Sequence, residues 1–460
     1  MLRIYGSRPA TAVCLLLLFT FFLTGQPGCA APEEEVAQPT AVPATATPEP
    51  LPTAVPNSVY VNAAEPLGPI NPLVYGTNFG PWVVVPFDLW PAAEVAGIRF
   101  LRFPGGNWGD LNNLTERHID QYMELAEMMN ATPQITARLR GGTPEQAADL
   151  VHYTNIEQNY DVRYWSIGNE PSLYPEYDTE RYNAEWRTFA EAMLAVDPDI
   201  VLIGPDTHQF TGNPETDPKD DNGRLWLQSF LEANGDMVDI VAVHRYPFPR
   251  GMAGDPVTIE DLRQNSQEWD QIIPNLRQVI RDTTGNDLPI AITEVNSNWS
   301  KAVGGEATPD SFYNAIWWAD VLGRMINQQT DMVAQFVLQT KDGAGGWGLL
   351  ARSEVRPSYY VYQMYQQLGE TLLPAQTDLP GISVVAAQRA DGSLTILLVN
   401  LLDTAVDAPL QIVGQPMPET AEWHLFDPEH AAEPVGTISF GDNNELSLPP
   451  TSISLLIAAP

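Results

Sequence analysis

Two glutamates stand at the ends of short apolar runs: Glu170 in Trp165-Ser166-Ile167-Gly168-Asn169-Glu170-Pro171, and Glu294 in Ala291-Ile292-Thr293-Glu294-Val295-Asn296. A carboxylate in such a place is expensive to bury unless it is solvated or paired. Two of them facing one ligand have a definite chemistry. In glycoside hydrolysis one carboxyl protonates the leaving oxygen, while the other attacks the anomeric carbon or activates water. Taken singly, Asn-Glu-Pro also reads as a strand-to-helix turn, and Glu294 as a carboxylate at a helix N-terminus. The pair is what points to catalysis.

The pair can act only if the fold brings it together, and the apolar pattern supplies such a fold. Strand-length runs occur at 73–79, 98–103, 134–139, 163–168, 200–205, 238–245, 289–294 and 332–340. Helical patterns lie between or after them, at 144–154, 180–196, 224–233, 259–281, 311–327 and 357–368. Strands alternating with helices predict parallel βαβ units, and a count of eight favours a closed barrel over an open sheet. The fold class read here is α/β: a (β/α)₈ TIM barrel over 58–372, then a small all-β sandwich over 373–460. Strands 4 and 7 of a barrel open into one mouth, which is where barrel active sites gather. No GxGxxG or GxxxxGK[ST] follows any of these runs, and no GxSxG nucleophile elbow is present. Nucleotide-binding and esterase readings are therefore weak. No His/Cys/Asp set has metal-ligand spacing, so neither metal nor cofactor is expected.

Beyond residue 372 the rhythm becomes short strands without helices, at 382–389, 394–400, 408–413, 422–426, 436–440 and 452–457. Asp391-Gly392 marks a hairpin turn between the first two. The segment 58–62 also alternates like a strand. It is assigned either to the start of the barrel domain or, over 58–65, to the β-module.

The first thirty residues differ from the rest. Arg3 and Arg8 precede the apolar run 11–24, and small residues follow at 28–31, which is the anatomy of a secretory signal. The run is short for a membrane span. Cys29 sits where a lipoprotein signal places its acylated cysteine, although Gln26-Pro27-Gly28 departs from the usual lipobox. Lipid anchoring at Cys29 and simple cleavage near Ala30 or Ala31 both stay open. Residues 31–57 carry seven prolines with Ala, Thr and Val spacers, a composition that stays extended and reads as a stalk. The only other cysteine is Cys14, inside the signal, so the exported part has no disulfide. Lysine is nearly absent (Lys219, Lys301 and Lys341), and loss of Arg3 and Arg8 takes the net charge from −35 to −37. Such acidity argues against nucleic acid and anionic polysaccharides and suits either neutral glycans or a saline habitat, between which charge alone does not choose.

At this point several motifs resemble clan A glycoside hydrolases, which are retaining enzymes with the acid/base on strand 4 and the nucleophile on strand 7. Asn169-Glu170 is similar to the clan's Asn-Glu pair. That implies Glu170 as acid/base and Asn169 as partner of the sugar 2-hydroxyl, while Glu294 matches the nucleophile. His244 and Tyr246, in Val243-His244-Arg245-Tyr246-Pro247, resemble a His-x-Tyr pair whose tyrosine holds the nucleophile. Arg102, in Leu101-Arg102-Phe103-Pro104-Gly105-Gly106-Asn107, is similar to the strand-2 arginine of families containing α-L-arabinofuranosidases. The segment 70–76 looks like the opening of family 44 and family 51 members, with family 39 a further resemblance. Trp347 resembles the tryptophan that floors the subsite of the cleaved sugar. Asn107, Asn296 and Trp299 complete the set of candidate substrate-binding residues, and Trp108 is another aromatic near the mouth.

A retaining acid/base must give a proton and then take one, so Glu170 is expected to titrate near or above neutrality, raised by charge on Glu294. Arg102 and Tyr246 are expected to keep Glu294 ionised; otherwise they read as a structural ion pair and a core tyrosine. His244 reads equally well as a structural histidine. The leading reading is a retaining hydrolase of neutral plant or microbial polysaccharide, a hemicellulose or β-glucan. An exo-acting α-L-arabinofuranosidase or β-xylosidase is the alternative within the class. A non-catalytic, surface-anchored glycan-binding protein is the alternative outside it. The expected partner is carbohydrate, not nucleic acid. Contact with a membrane is expected only through the N-terminal anchor, at a bacterial cell surface or after secretion. Oligomeric state is not legible.

Overall fold

A computed structural model describes residues 53–248, 256–300, 302–340, 345–441 and 444–460. The signal, Cys29, most of the stalk, Lys301 and Lys341 lie outside the described residues. Among the described residues, no helix is long and apolar enough to cross a membrane.

Eight parallel strands close into a barrel: β1 Gly76–Asn78, β2 Phe100–Phe103, β3 Thr132–Ala137, β4 Tyr164–Ile167, β5 Val201–Thr207, β6 Ile240–Arg245, β7 Ile290–Val295 and β8 Met332–Gln335. β8 pairs with both β7 and β1, which completes the ring. Phe100, Ile203, Ile240, Ala242, Ala291, Met332 and Ala334 form a buried cluster drawn from five of these strands, the packed interior of the barrel. The pairing register shifts at Pro205/Thr207, at Val243/His244 and at Val333/Gln335. Each shift falls at or near the C-terminal end of its strand. Bulges there re-aim side chains toward the mouth.

Three elements differ from the sequence reading. The first run is mostly a turn, because Asn71 accepts from Leu73 N and Pro72 opens a 3₁₀ helix over Pro72–Val74, leaving three residues for the sheet. The last strand stops at Gln335 instead of running to 340; the chain then folds back, with Phe336 N bonded to Val295 O and Leu338 N to Asn78 O. The helical stretch 259–281 is two helices, Ile259–Asn265 and Trp269–Thr284, separated by a 3₁₀ turn.

The β-module is a sandwich. One sheet has the order Ala375–Thr377, Val59–Asn62, Val406–Val413, Glu445–Leu448. The other has seven strands, with Leu394–Asn400 near its centre. Val59–Asn62 runs parallel to Val406–Val413, so the first described strand lies in the module that the last residues complete. Leu394–Asn400 is buried along its whole length because it has two apolar neighbours. Leu394, Ile396 and Leu398 face the sandwich core, while Leu397 and Val399 join the core of the barrel. Burial on both faces accounts for its unbroken apolar sequence. Tyr313 Oη, on helix Phe312–Asn327, donates to Leu401 O at 2.7 Å and ties that barrel helix to the β-module.

Candidate active site

Glu170 and Glu294 meet at the C-terminal mouth of the barrel. One oxygen of each lies with a ring nitrogen of His244 inside a group whose atoms are all within 4.8 Å of one another. Glu294, near the end of β7, is held by donors on three sides. Arg102 Nη1, from β2, reaches Oε1 at 2.7 Å, and the backbone N–H of Gly106 reaches the same oxygen at 2.6 Å. Tyr246 Oη donates to Oε2 at 2.8 Å. Gly106 has φ of +59°, a conformation glycine adopts without a Cβ penalty, and this aims its N–H at the carboxylate. Three donors on its two oxygens fix the orientation of this carboxylate.

Glu170 follows β4 by way of Gly168 and Asn169. A Cβ on Gly168 would stand 2.9 Å from Leu139 Cβ, and its φ is +77°, so the turn that presents Glu170 depends on glycine there. Glu170 itself sits in the left-handed region at φ +46°, pinned by its N–H to Asp206 O at 3.1 Å. A non-glycine residue held in this region stores strain that the surrounding structure must support. Its side chain is 19 % exposed, against 4 % for Glu294. The acid candidate therefore faces the opening and the nucleophile candidate faces the floor.

His244 lies between the carboxylates. Its Nδ1 is 3.0 Å from Glu170 Oε1 and 3.9 Å from Glu294 Oε2, and its Nε2 is 3.5 Å from Asp206 Oδ1. Burial works against charge on the ring. The field of Glu294 and the contacts with Asp206 and Glu170 overcome it and push its pKa up to about 9. Burial also pushes Glu170 up, yet the hydrogen bond and charge of His244, with His208 and Arg102 behind it, hold its carboxyl below the usual carboxylate range. This corrects the expectation that Glu170 itself titrates near neutrality. The proton sits on the imidazole of a hydrogen-bonded Glu170–His244 pair, one short transfer from the carboxylate.

Asp206, at the end of β5, gave no sequence signal. It is buried at 1 % exposure, 3.6 Å from Arg102 Nη2, and it accepts from Thr293 Oγ1. Burial raises its pKa, but Arg102 and His244 bring it down to about 2. It sits beneath both working groups. Asn78 was missed for the same reason. It gives Nδ2 to Thr293 O at 2.9 Å and accepts from Arg102 at 3.0 Å, locking β1, β2 and β7 together. Asn169 accepts from Arg102 Nη2 at 2.8 Å, while its own Nδ2 is buried without a partner, a donor left free at the sugar-facing end of β4.

The remaining sequence candidates separate. Trp347 lines a cavity beside Gly106, and its Nε1 donates to Asn298 O at 2.8 Å. Asn107 is exposed and lines the same cavity, as does Trp108. Asn296 is used structurally: its amide spans Phe336 O at 2.6 Å and Ser297 N at 2.8 Å. Trp299 is 49 % exposed, and no contact ties its ring to the two glutamates. Glu170, His244 and Glu294 also have spacing that fits a cation. Arg102, Gly106 N–H and Tyr246 already occupy the Glu294 oxygens with protons, however, so the arrangement suits a reacting carboxylate better than a ligand set.

No family model matches the chain. A probable α-L-arabinofuranosidase C of Aspergillus flavus is 25 % identical over 157 residues, 25 % of this chain and 31 % of that protein. Heparanase of Bos taurus is 24 % identical over 268 residues, 53 % of this chain and 45 % of its own length. The chain thus spans only about a third to a half of the curated relatives it matches. Solved structures cover far more. An α-L-arabinofuranosidase of Thermotoga maritima superposes with a TM-score of 0.70 at 16 % identity, over 87 % of this chain and 99 % of that one. A family 44 xyloglucanase of Paenibacillus polymyxa gives 0.68 at 15 %, with the same coverage. The fold is the one these arabinofuranosidase and xyloglucanase structures share. The superposition extends over both the barrel and the β-module, since it covers 87 % of this chain.

Proposed function

We propose that this protein is a retaining glycoside hydrolase acting on a neutral hemicellulose or β-glucan, with Glu170 as acid/base and Glu294 as nucleophile. The observation that carries the reading is the separation of the two carboxylates, whose nearest oxygens lie within 4.8 Å. Retaining enzymes hold the pair about 5 to 5.5 Å apart, and inverting enzymes leave about 6.5 to 9.5 Å for a water molecule. In the first step a Glu294 oxygen bonds to the anomeric carbon as the glycosidic C–O bond breaks. The leaving oxygen takes the proton that His244 Nδ1 passes through Glu170, which leaves Glu170 a carboxylate and His244 neutral; the proton taken up in the second step returns to His244 by the same path. In the second step Glu170 accepts a proton from water, whose oxygen bonds to the anomeric carbon and releases Glu294. Arg102 and the Gly106 N–H stabilise the carboxylate as charge leaves and returns.

The test is a hydrolysis screen of wild type, Glu170→Ala and Glu294→Ala on aryl glycosides and on glucans, xylans and arabinans. Wild type cleaves with retention, Glu294→Ala is inactive, and azide restores Glu170→Ala as a glycosyl azide of the substrate's configuration. Inversion by the wild-type enzyme, or equal rates in all three proteins, overturns the reading. We propose further that the protein is exported and held at the cell surface by an acylated Cys29 at the end of the 31–57 stalk. Release of Cys29→Ala protein into the medium supports this, and unchanged membrane retention argues against it.

A further inference from the structure

Asp110 is a buried carboxyl, 3 % exposed, that neither step of the double displacement uses. It lies on the short helix Trp108–Leu111, just after Gly106, whose N–H holds Glu294. The link between them is tightly packed: a Cβ on Gly109 would stand 2.9 Å from Pro104 Cγ. The Asp110 carboxylate faces neutral donors. Its Oδ2 accepts from the backbone N–H of Asn169 at 3.0 Å, its Oδ1 accepts from that of Arg140 at 3.4 Å, and Tyr174 Oη donates a further hydrogen bond. One side chain on the loop after β2 thus reaches the loops after β3 and β4.

The contact with Asn169 completes a set. Arg102 Nη2 holds the Asn169 side chain at 2.8 Å, and the next backbone N–H, that of Glu170, is held by Asp206 O at 3.1 Å. Tyr174 Oη lies 3.3 Å from the Asn169 N–H and braces it from below. Both consecutive N–H groups of the turn that presents Glu170 are therefore fixed, the first of them from the loop that also holds Glu294. Burial pushes the Asp110 carboxyl up to about 6, against the pull of Tyr174 and of the Arg140, Asn169 and Leu139 N–H groups. The hydroxyls of Tyr174, Tyr177 and Tyr182, which feel its charge, are pushed up by burial and stay neutral. A carboxyl whose folded value lies above its unfolded one costs stability as the pH rises from about 4 to 6, so the ionised group adds none at pH 7.

We propose that Asp110 is a positioning residue of this hydrolase: its carboxylate joins the loop that holds the nucleophile to the turn that carries Asn169 and Glu170, and so fixes the separation of the two glutamates. The inference rests on the hydrolase reading and adds to it a residue that acts only through others. An ionised carboxylate suits the place because it only accepts hydrogen bonds, and every group it faces donates. An amide of the same shape turns an NH₂ toward one of those donors. The turn then shifts, and a small misplacement of the acid/base is felt at the reacting bond.

The test is Asp110→Asn, read by kcat and KM on the aryl glycoside that wild type cleaves best and by thermal melting at pH 7. The variant's kcat should fall about tenfold with KM within about twofold of wild type, the split expected when geometry is lost at the reacting bond and not in binding. Its Tm should not fall, because the charge it removes adds no stability at that pH. Tyr174→Phe keeps the carboxylate and removes one of its donors; it should lower kcat about threefold, and it reads the same linkage should Asp110→Asn not fold. An unchanged kcat in the variants, or a kcat loss accompanied by a lower Tm, refutes the positioning role and leaves the hydrolase reading intact. Hydrolysis by neither wild type nor variants refutes both.

Discussion

Replacing Asp206 by Asn removes one buried charge and little else, since the two side chains have nearly the same shape. Asp206 lies 3.6 Å from Arg102 and 3.5 Å from His244. At an effective dielectric constant of 20, one such contact amounts to about 4 to 5 kcal/mol of Coulomb energy, most of which desolvation offsets. The net follows from its titration. A carboxyl brought from 3.8 down to about 2 contributes about 2 kcal/mol to folding. Because the folded value is depressed, that stability is complete above about pH 4 and is lost as the pH falls through 2. In urea at pH 7, Asp206→Asn should be less stable than wild type by about 2 kcal/mol, and the two curves should converge near pH 2. The catalytic effect appears at the other end of the scale. His244 is held near 9 in part by Asp206, and the proton it carries is the one the acid step uses. The alkaline limb of kcat/KM should therefore lie near pH 9 in wild type and at least about one unit lower in the variant. An alkaline limb that does not move, with the stability difference present, refutes the role of Asp206 in holding that proton. Equal stability at pH 7 refutes the buried-charge argument itself.

Tyr246→Phe removes one charge-assisted hydrogen bond to Glu294, worth about 1.5 to 3 kcal/mol, and should lower kcat/KM by about 10- to 100-fold without changing the melting temperature much; an unchanged rate contradicts it. Gly168→Ala should lower kcat more than it raises KM, because the added methyl collides with Leu139 and tilts the turn that carries Asn169 and Glu170; steady-state kinetics on an aryl glycoside decides. Truncation after residue 372 should give an aggregating, dye-binding protein, since Leu397, Val399, Phe426 and Leu455 belong to the core of the barrel; a soluble, active barrel would show that the two cores are separable.

How much was legible depended on whether a position reports on its own neighbourhood. Glu170 and Glu294 were visible because a glutamate ending an apolar strand breaks a local pattern, and the count of eight strands placed both at one rim. Arg102 and Tyr246 were visible through short motifs. Asp206 and Asn78 were not: each is an unremarkable polar residue at the end of a strand, and its partners lie on other strands. Asn296 shows the opposite case, since a polar residue beside the nucleophile is spent on the backbone of Phe336 and Ser297.

The sequence by itself determined the alternation of elements, the two glutamates and the acidic, lysine-poor composition, because each is written in local periodicity or in counts. Tertiary structure alone decided where the proton sits. Glu170 was expected to carry it, and closure of the barrel instead surrounds His244 with Glu170, Asp206 and Glu294 from three different strands. Electrostatic fields add over space and not along the chain, so no reading of neighbouring residues could supply that sum. The same holds for the cavity beside Gly106, whose walls come from segments more than 250 residues apart.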